Sequence, residues 1–174
     1  MKKIEGGVTK AKGFTAASCA AGIKYKGRED MALVYSKKPC VAAATFTSNV
    51  VKAAPVLWDR KLIREDKRDI HAIVVNTGIA NAGTGKEGLD CCERTADKAA
   101  ALLGINKEEV VVGSTGVIGP QLNMEALLAG IEKMVPVLSD SKEAADKAAA
   151  AIMTTDTHPK QAAVELEISG EKVT

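Results

Sequence analysis

The run Val110-Val111-Val112-Gly113-Ser114-Thr115-Gly116-Val117-Ile118-Gly119-Pro120 carries the densest set of groups suited to chemistry: apolar residues pass directly into glycines and hydroxyls. Glycines at 113, 116 and 119 remove Cβ bulk, so the backbone can approach a ligand closely and adopt positive φ there. The hydroxyls of Ser114 and Thr115 then stand beside backbone N–H groups, a convergent set of neutral donors. Chemistry that builds negative charge on a carbonyl oxygen needs such donors fixed in place before the reaction starts. No nucleophile and base are paired within the segment, so it reads as half of an active site. A plain strand-to-helix turn is the structural alternative.

Two further segments are candidates. Asn76-Thr77-Gly78-Ile79-Ala80-Asn81-Ala82-Gly83-Thr84-Gly85-Lys86 lies between an apolar strand and a helix, the context of a phosphate-binding loop. The required pattern is GxxxxGK followed by Ser or Thr. Counted from Gly78, Thr84 stands where the lysine belongs; counted back from Gly85-Lys86, Ala80 stands where the first glycine belongs, and Glu87 follows. The segment reads as a tight, asparagine-rich turn. Thr154 to Lys160 places threonines at a helix end, where they can satisfy terminal carbonyls or open a turn before Pro159. His71 in an apolar strand and His158 before a proline have no evident Ser, Cys or Asp partner for triad chemistry, and both read as structural. Cys19, Cys40, Cys91 and Cys92 show no CxxC spacing and no nearby His pair, so they read as buried, reduced thiols, Cys40 and Cys92 on apolar positions. Neither a metal nor a cofactor is expected.

The elements that must position these groups alternate strand and helix through the second half, which predicts an α/β fold, a layered sheet covered by helices. Ile70 to Val75 reads as a strand ending in Asn76, and Val110 to Val112 as another. Between them Leu89, Cys92, Ala96, Ala99 and Leu103 recur at three- and four-residue spacing, with Gly104 as the stop. Asn123 is a candidate N-cap, with Glu125 in the first turn, for a helix through Met134. Ser141 to Met153 reads as an alanine-rich helix and Ala162 to Ser169 as a strand before a turn at Gly170. In the first half, Ser18 to Tyr25 is a strand candidate. Met31 to Ser36 and Cys40 to Ser48 read as a hairpin about Lys37-Lys38-Pro39, and Pro55 to Glu65 as a short helix begun by proline. No internal domain boundary is evident between residues 1 and 174.

Composition limits the function classes. With 46% hydrophobic and 26% charged residues the chain is an ordinary globular one, and its 24 basic and 22 acidic residues are scattered, so neither nucleic acid nor a membrane surface is indicated as a partner. Aromatic residues make up only 3%, which argues against base-stacking platforms. No apolar run approaches membrane-spanning length and the N-terminus lacks a signal core, so a cytoplasmic protein is expected.

Taken together and in order, four segments resemble one family, the ornithine acetyltransferases or glutamate N-acetyltransferases of arginine biosynthesis. They are Gly6-Gly7-Val8-Thr9 with Lys12-Gly13-Phe14, Asn76 to Ala82, Gly113 to Gly119, and Met153-Thr154-Thr155-Asp156-Thr157. The resemblance implies a self-processing precursor that cleaves before a threonine into α and β chains. The new N-terminal threonine of the β chain is the nucleophile, activated by its own α-amine. It takes acetyl from N-acetyl-L-ornithine and passes it to L-glutamate; some members also use acetyl-coenzyme A. Carried onto this chain, the resemblance implies that the Thr115 hydroxyl and the Gly116 N–H form the oxyanion hole, that Thr154 contacts substrate, and that Thr155 is a neighbouring contact. It further implies that this is the α chain, inactive alone and completed by a β chain from the same precursor in an (αβ)2 heterotetramer, since the nucleophile is not in this chain. Two other readings stand beside it: a small-molecule or phosphate-binding α/β module, and a related self-cleaving amidohydrolase that delivers the acyl group to water.

Overall fold

The apolar runs of this chain are short and rich in valine and alanine, which suits strands buried on one or both faces. The computed structural model describes residues 1–64 and 69–174. Its strands are β1 (Lys2–Ile4), β2 (Phe14–Cys19), β3 (Met31–Cys40), β4 (Ile70–Ile79), β5 (Val110–Val117), β6 (Ala163–Ile168) and β7 (Glu171–Val173). The helices are α1 (Ala54–Arg64), α2 (Gly85–Leu103), α3 (Met124–Met134) and α4 (Lys142–Ala151). The result is an α/β fold.

A four-stranded sheet runs in the order β2-β3-β4-β5, and β1, β6 and β7 form a second, three-stranded sheet. Strands β2, β3 and β4 are antiparallel neighbours. The β4–β5 pair is parallel, as the α2 crossover between them requires. The larger core lies where α1, α2 and α3 cover this sheet, with Leu33, Val74, Val110, Leu127, Ile131 and Met134 all essentially inaccessible. Close approach there depends on Gly130 in α3, because a Cβ at that position would lie 2.4 Å from the Met31 sulfur. On the opposite face α4 sets Ala148 and Ala151 against Ala16 and Ala32. That helix packs on β2 and β3, and Ile73 of β4 remains 41% exposed on the uncovered part of the face.

Caps follow the local chemistry. Asn123 accepts from the Ala126 N–H and Ser141 from the Ala144 N–H, opening α3 and α4. Gly104 closes α2 in the left-handed conformation at φ 70°. Among the described residues no helix is long and apolar enough to cross a membrane.

Four expectations are corrected. The hairpin about Lys37-Lys38-Pro39 is absent: β3 continues through these residues to Cys40, and residues 41–49 have no regular structure. Proline is tolerated because the pairing with β2 ends at Ser36 and the β4 register shifts between Tyr35 and Cys40, so Pro39 sits in an irregularity where no ladder donor is needed. The early strand is Phe14–Cys19, displaced toward the N-terminus from Ser18 to Tyr25. Gly22 and Gly27, at φ 80° and 76°, instead turn residues 20–30 back on themselves. Lastly, β4 and β5 do not stop at Asn76 and Val112: both strands run on into the supposed loops, to Ile79 and Val117. The helix expected over Pro55 to Glu65 is found as α1, with Glu65 itself outside the described residues. Cys91 and Cys92 are buried free thiols, whereas Cys19 and Cys40 are half-buried.

Candidate active site

The parallel pairing of β4 and β5 places Asn76, Thr77, Gly78 and Ile79 directly beside Ser114, Thr115, Gly116 and Val117. Side chains at paired positions share a face of the sheet, and Ser114 Oγ accordingly donates to Asn76 Oδ1 at 2.6 Å. Asn76 in turn donates through Nδ2 to the Ile79 carbonyl at 3.0 Å. At Gly116 the two backbones nearly touch. Its φ is +137°, and a Cβ there would lie 2.2 Å from the Gly78 carbonyl carbon, so only glycine fits.

β5 is the edge strand of its sheet. Its first residues are closed off by α1: Trp58 Nε1 donates to the Val110 carbonyl at 3.0 Å, and the Val112 N–H donates to Asp59 Oδ1 at 3.0 Å. Burial pushes the Asp59 carboxyl up to about 7, opposed in part by the Val112 N–H that favours its charged form. Since Val110 and Val112 turn their backbone groups outward, the two-residue alternation of a strand directs the N–H groups of Ser114 and Gly116 outward as well. Gly116 is exposed and Thr115 half-buried, and among the described residues the Thr115 hydroxyl has no hydrogen-bond partner. A free hydroxyl and an outward N–H on successive residues can hold a single oxyanion.

Thr154 and Thr155 lie in the bend after α4, Thr154 half-buried and Thr155 exposed. Asp156, two residues beyond Thr154, pairs with Lys160, whose hydrogen bond and then its charge hold that exposed carboxyl below its usual range. Residues 20–30 bridge this bend and the end of β4. The Asp30 backbone carbonyl accepts from the Thr77 N–H at 2.9 Å, and a Cβ on Gly78 would lie 2.8 Å from Lys24 Cβ and 3.4 Å from the Tyr25 ring. From the other end of the turn Arg28 donates through Nη2 to the Met153 carbonyl. The roles of Arg28 and Asp30 were not legible in the sequence, where both sit in a short polar stretch just after Gly27.

The second glycine-rich segment turns its polar groups onto itself. Asn81, at φ 47°, donates through Nδ2 to the Gly88 carbonyl, Thr84 Oγ1 donates to Asn81 Oδ1, and Gln121 Nε2 donates to the Thr84 carbonyl. A Cβ on Gly88 would lie 2.0 Å from Thr84 Oγ1, so the glycine serves the packing of α2 on this turn. His71 Nδ1 lies 2.8 Å from the Ser36 carbonyl and its ring stacks near Tyr35. His158 contacts only Thr157 among the described hydrogen bonds. Among the described residues no cluster of ligands suits a metal ion.

This geometry has relatives. The chain is 47% identical over 176 residues to an arginine biosynthesis bifunctional protein ArgJ from Symbiobacterium thermophilum, an alignment covering all of this chain and 43% of that protein. It is 44% identical over 170 residues to the protein of the same name from Gloeobacter violaceus, covering 98% of this chain and 41% of that one. The chain thus spans about two fifths of the length of these curated relatives. Among crystal structures, an ArgJ from Bacillus halodurans matches with a TM-score of 0.92 at 37% identity, over 98% of this chain and 88% of that one. An ornithine acetyltransferase from Mycobacterium tuberculosis, solved with ornithine, matches with a TM-score of 0.87 at 43% identity, over 92% and 86% of the two chains. The model of the ArgJ family matches residues 15–174, and this chain belongs to that family.

Proposed function

We propose that this chain is the α portion of a glutamate N-acetyltransferase, one that moves acetyl from N-acetyl-L-ornithine to L-glutamate through an acetyl-threonine intermediate. The observation that carries the proposal is the unpartnered Thr115 hydroxyl beside the outward N–H of Gly116, in a chain of the ArgJ family. The nucleophilic threonine is supplied by a β chain from the same precursor, the two forming an (αβ)2 assembly.

In the first half-reaction the threonine hydroxyl adds to the acetyl carbonyl of N-acetylornithine, and its proton passes to the threonine's own α-amine. The carbonyl oxygen becomes an oxyanion, held by the Thr115 hydroxyl and the Gly116 N–H at a gain on the order of 3 kcal/mol per donor. Collapse expels the ornithine amine with the returned proton and leaves the acetyl ester. The neutral amine of glutamate then adds to that ester through a second oxyanion in the same site; collapse breaks the bond from the acyl carbon to the threonine oxygen, the amine's proton passes by way of the α-amine to that oxygen, and N-acetylglutamate departs. Thr154 contacts the substrate, with Thr155 beside it. A donor pair pre-set by backbone packing suits both oxyanions, since neither requires reorganisation at the moment of reaction.

The test is intact-mass analysis of the protein expressed from its complete reading frame, combined with acetyl transfer from N-acetylornithine to glutamate. Two fragments, the second beginning with threonine, together with glutamate-dependent product are the expected result. Acetate release that ignores glutamate indicates the amidohydrolase reading instead, and an uncleaved, inactive protein overturns the proposal.

A further inference from the structure

Residues 20–30 are held as a rigid turn by a single buried carboxylate. Asp30 is fully buried, and its two carboxylate oxygens accept from three successive backbone N–H groups: Ala21 at 2.7 Å, Gly22 at 3.3 Å and Ile23 at 2.8 Å. The same residue fixes the turn to the sheet, because its backbone carbonyl receives the Thr77 N–H at 2.9 Å and lies 3.4 Å from the Thr77 hydroxyl. Thr77 is the register neighbour of Thr115. The turn is therefore anchored one strand away from the candidate oxyanion donors.

From this anchor the turn extends to the Thr154 bend. Arg28 donates to the carbonyl of Met153, the residue immediately before Thr154. Its guanidinium carbon stands 5.0 Å from the centre of the Tyr25 ring, and that ring packs beside Gly78. A planar guanidinium resting on an aromatic face has fewer arrangements open to it than a free arginine, so the Met153 carbonyl is met by a pre-set donor. A hydrogen bond from a charged donor is also about twice as strong as a neutral one.

We infer that Arg28 is a positioning residue: through the Met153 carbonyl it sets the height of Thr154 relative to the Thr115–Gly116 pair, joining the two halves of the site across the 20–30 turn. The inference rests on the acetyltransferase reading above, in which Thr154 touches substrate. Arg28 itself touches no reacting atom.

The experiment is a double-mutant cycle in the protein from its complete reading frame, comparing Arg28→Ala, Arg28→Lys and Thr154→Ala singly and in combination. Loss of a charge-assisted hydrogen bond predicts a rise in KM for N-acetylornithine of roughly tenfold in Arg28→Ala. Self-cleavage is expected to be complete and thermal midpoints close to the parent. In the Thr154→Ala background the same Arg28→Ala change is expected to have little further effect on KM, because the group it positions is gone. Arg28→Lys, which restores charge without the planar fork, is expected to recover KM in part.

An unchanged KM in Arg28→Ala, or effects of Arg28 and Thr154 that simply multiply, overturns the positioning role. So does a lowered midpoint that accounts for all lost activity, and this outcome is separable because KM is measured on the folded fraction. If Thr154→Ala alone leaves KM and kcat untouched, the positioning role of Arg28 is overturned with it, while glutamate-dependent acetyl transfer by the same variant shows that the acetyltransferase reading stands.

Discussion

Asn76-Thr77-Gly78-Ile79 and Ser114-Thr115-Gly116-Val117 are nearly the same peptide, lie side by side in register, and do different work. The β4 copy is interior: Thr77 is fully buried and its N–H and hydroxyl both face the Asp30 carbonyl. The β5 copy is on the edge: its threonine hydroxyl has no partner among the described residues, and Gly116 through Val117 face solvent. A Thr-Gly pair is thus neither structural nor reactive by composition. Its place in the sheet decides, because an interior strand spends its donors on neighbours while an edge strand keeps some free for a ligand.

The largest effect that separates the two copies is expected at their point of contact. Gly116→Ala would drive a Cβ to 2.2 Å from the Gly78 carbonyl carbon at a φ that L residues rarely adopt. Destabilisation of about 3 kcal/mol or more is expected, together with loss of turnover. Urea unfolding checks it, and an unchanged midpoint would contradict the close approach of the strands.

Thr115→Val keeps shape and removes only the hydroxyl. Turnover is expected to fall roughly a hundredfold or more, while the melting temperature stays put. The same substitution makes the oxyanion of self-cleavage harder to form, so uncleaved precursor on a gel is a second readout. Thr77→Val should do the reverse, lowering stability by about 1 kcal/mol with little change in kcat. If both variants moved stability alone, the division between the strands would collapse.

A pH-dependent effect is expected at the closed end of β5. Asp59 accepts the Val112 N–H, and its folded pKa of about 7 lies above the unfolded value of roughly 3.9. The folded state therefore binds the proton more tightly than the unfolded state does. Its contribution is fully present below about pH 4 and is lost as pH rises through about 7. Asp59→Asn keeps the acceptor and removes the titration. The variant is expected to be more stable than the parent at pH 8, with the difference vanishing toward pH 4. A stability difference independent of pH would show that Asp59 does not titrate on folding.

Much of this architecture was legible in the sequence wherever one local rule acted alone. The three- and four-residue spacing from Leu89 to Leu103, the Gly104 stop and the Asn123 cap each depend on neighbours along the chain, and each is found as expected, although Leu89 itself sits at 36% exposure. What failed depended on partners distant in sequence. Pro39 reads as a turn until the register shift between β3 and β4 gives it a place in a strand. Gly113 to Val117 reads as a loop until β4 is seen to extend the same distance alongside it. For the site, the Thr115–Gly116 pair was visible as a set of donors, whereas Arg28 and Asp30 carry no local signature. Their importance comes from contacts with residues 153 and 77, far along the chain.

The outer edge of β5 also bears on how the chain behaves at high concentration. Beyond the stretch closed by Trp58 and Asp59, the strand ends at Val117 and is followed by Ile118, 71% exposed, beside outward backbone donors and acceptors. Such an edge is a template for one more strand and, when nothing occupies it, for another copy of itself. Light scattering on this 174-residue chain should therefore show reversible self-association that grows with concentration, and a lysine in place of Ile118 should suppress it.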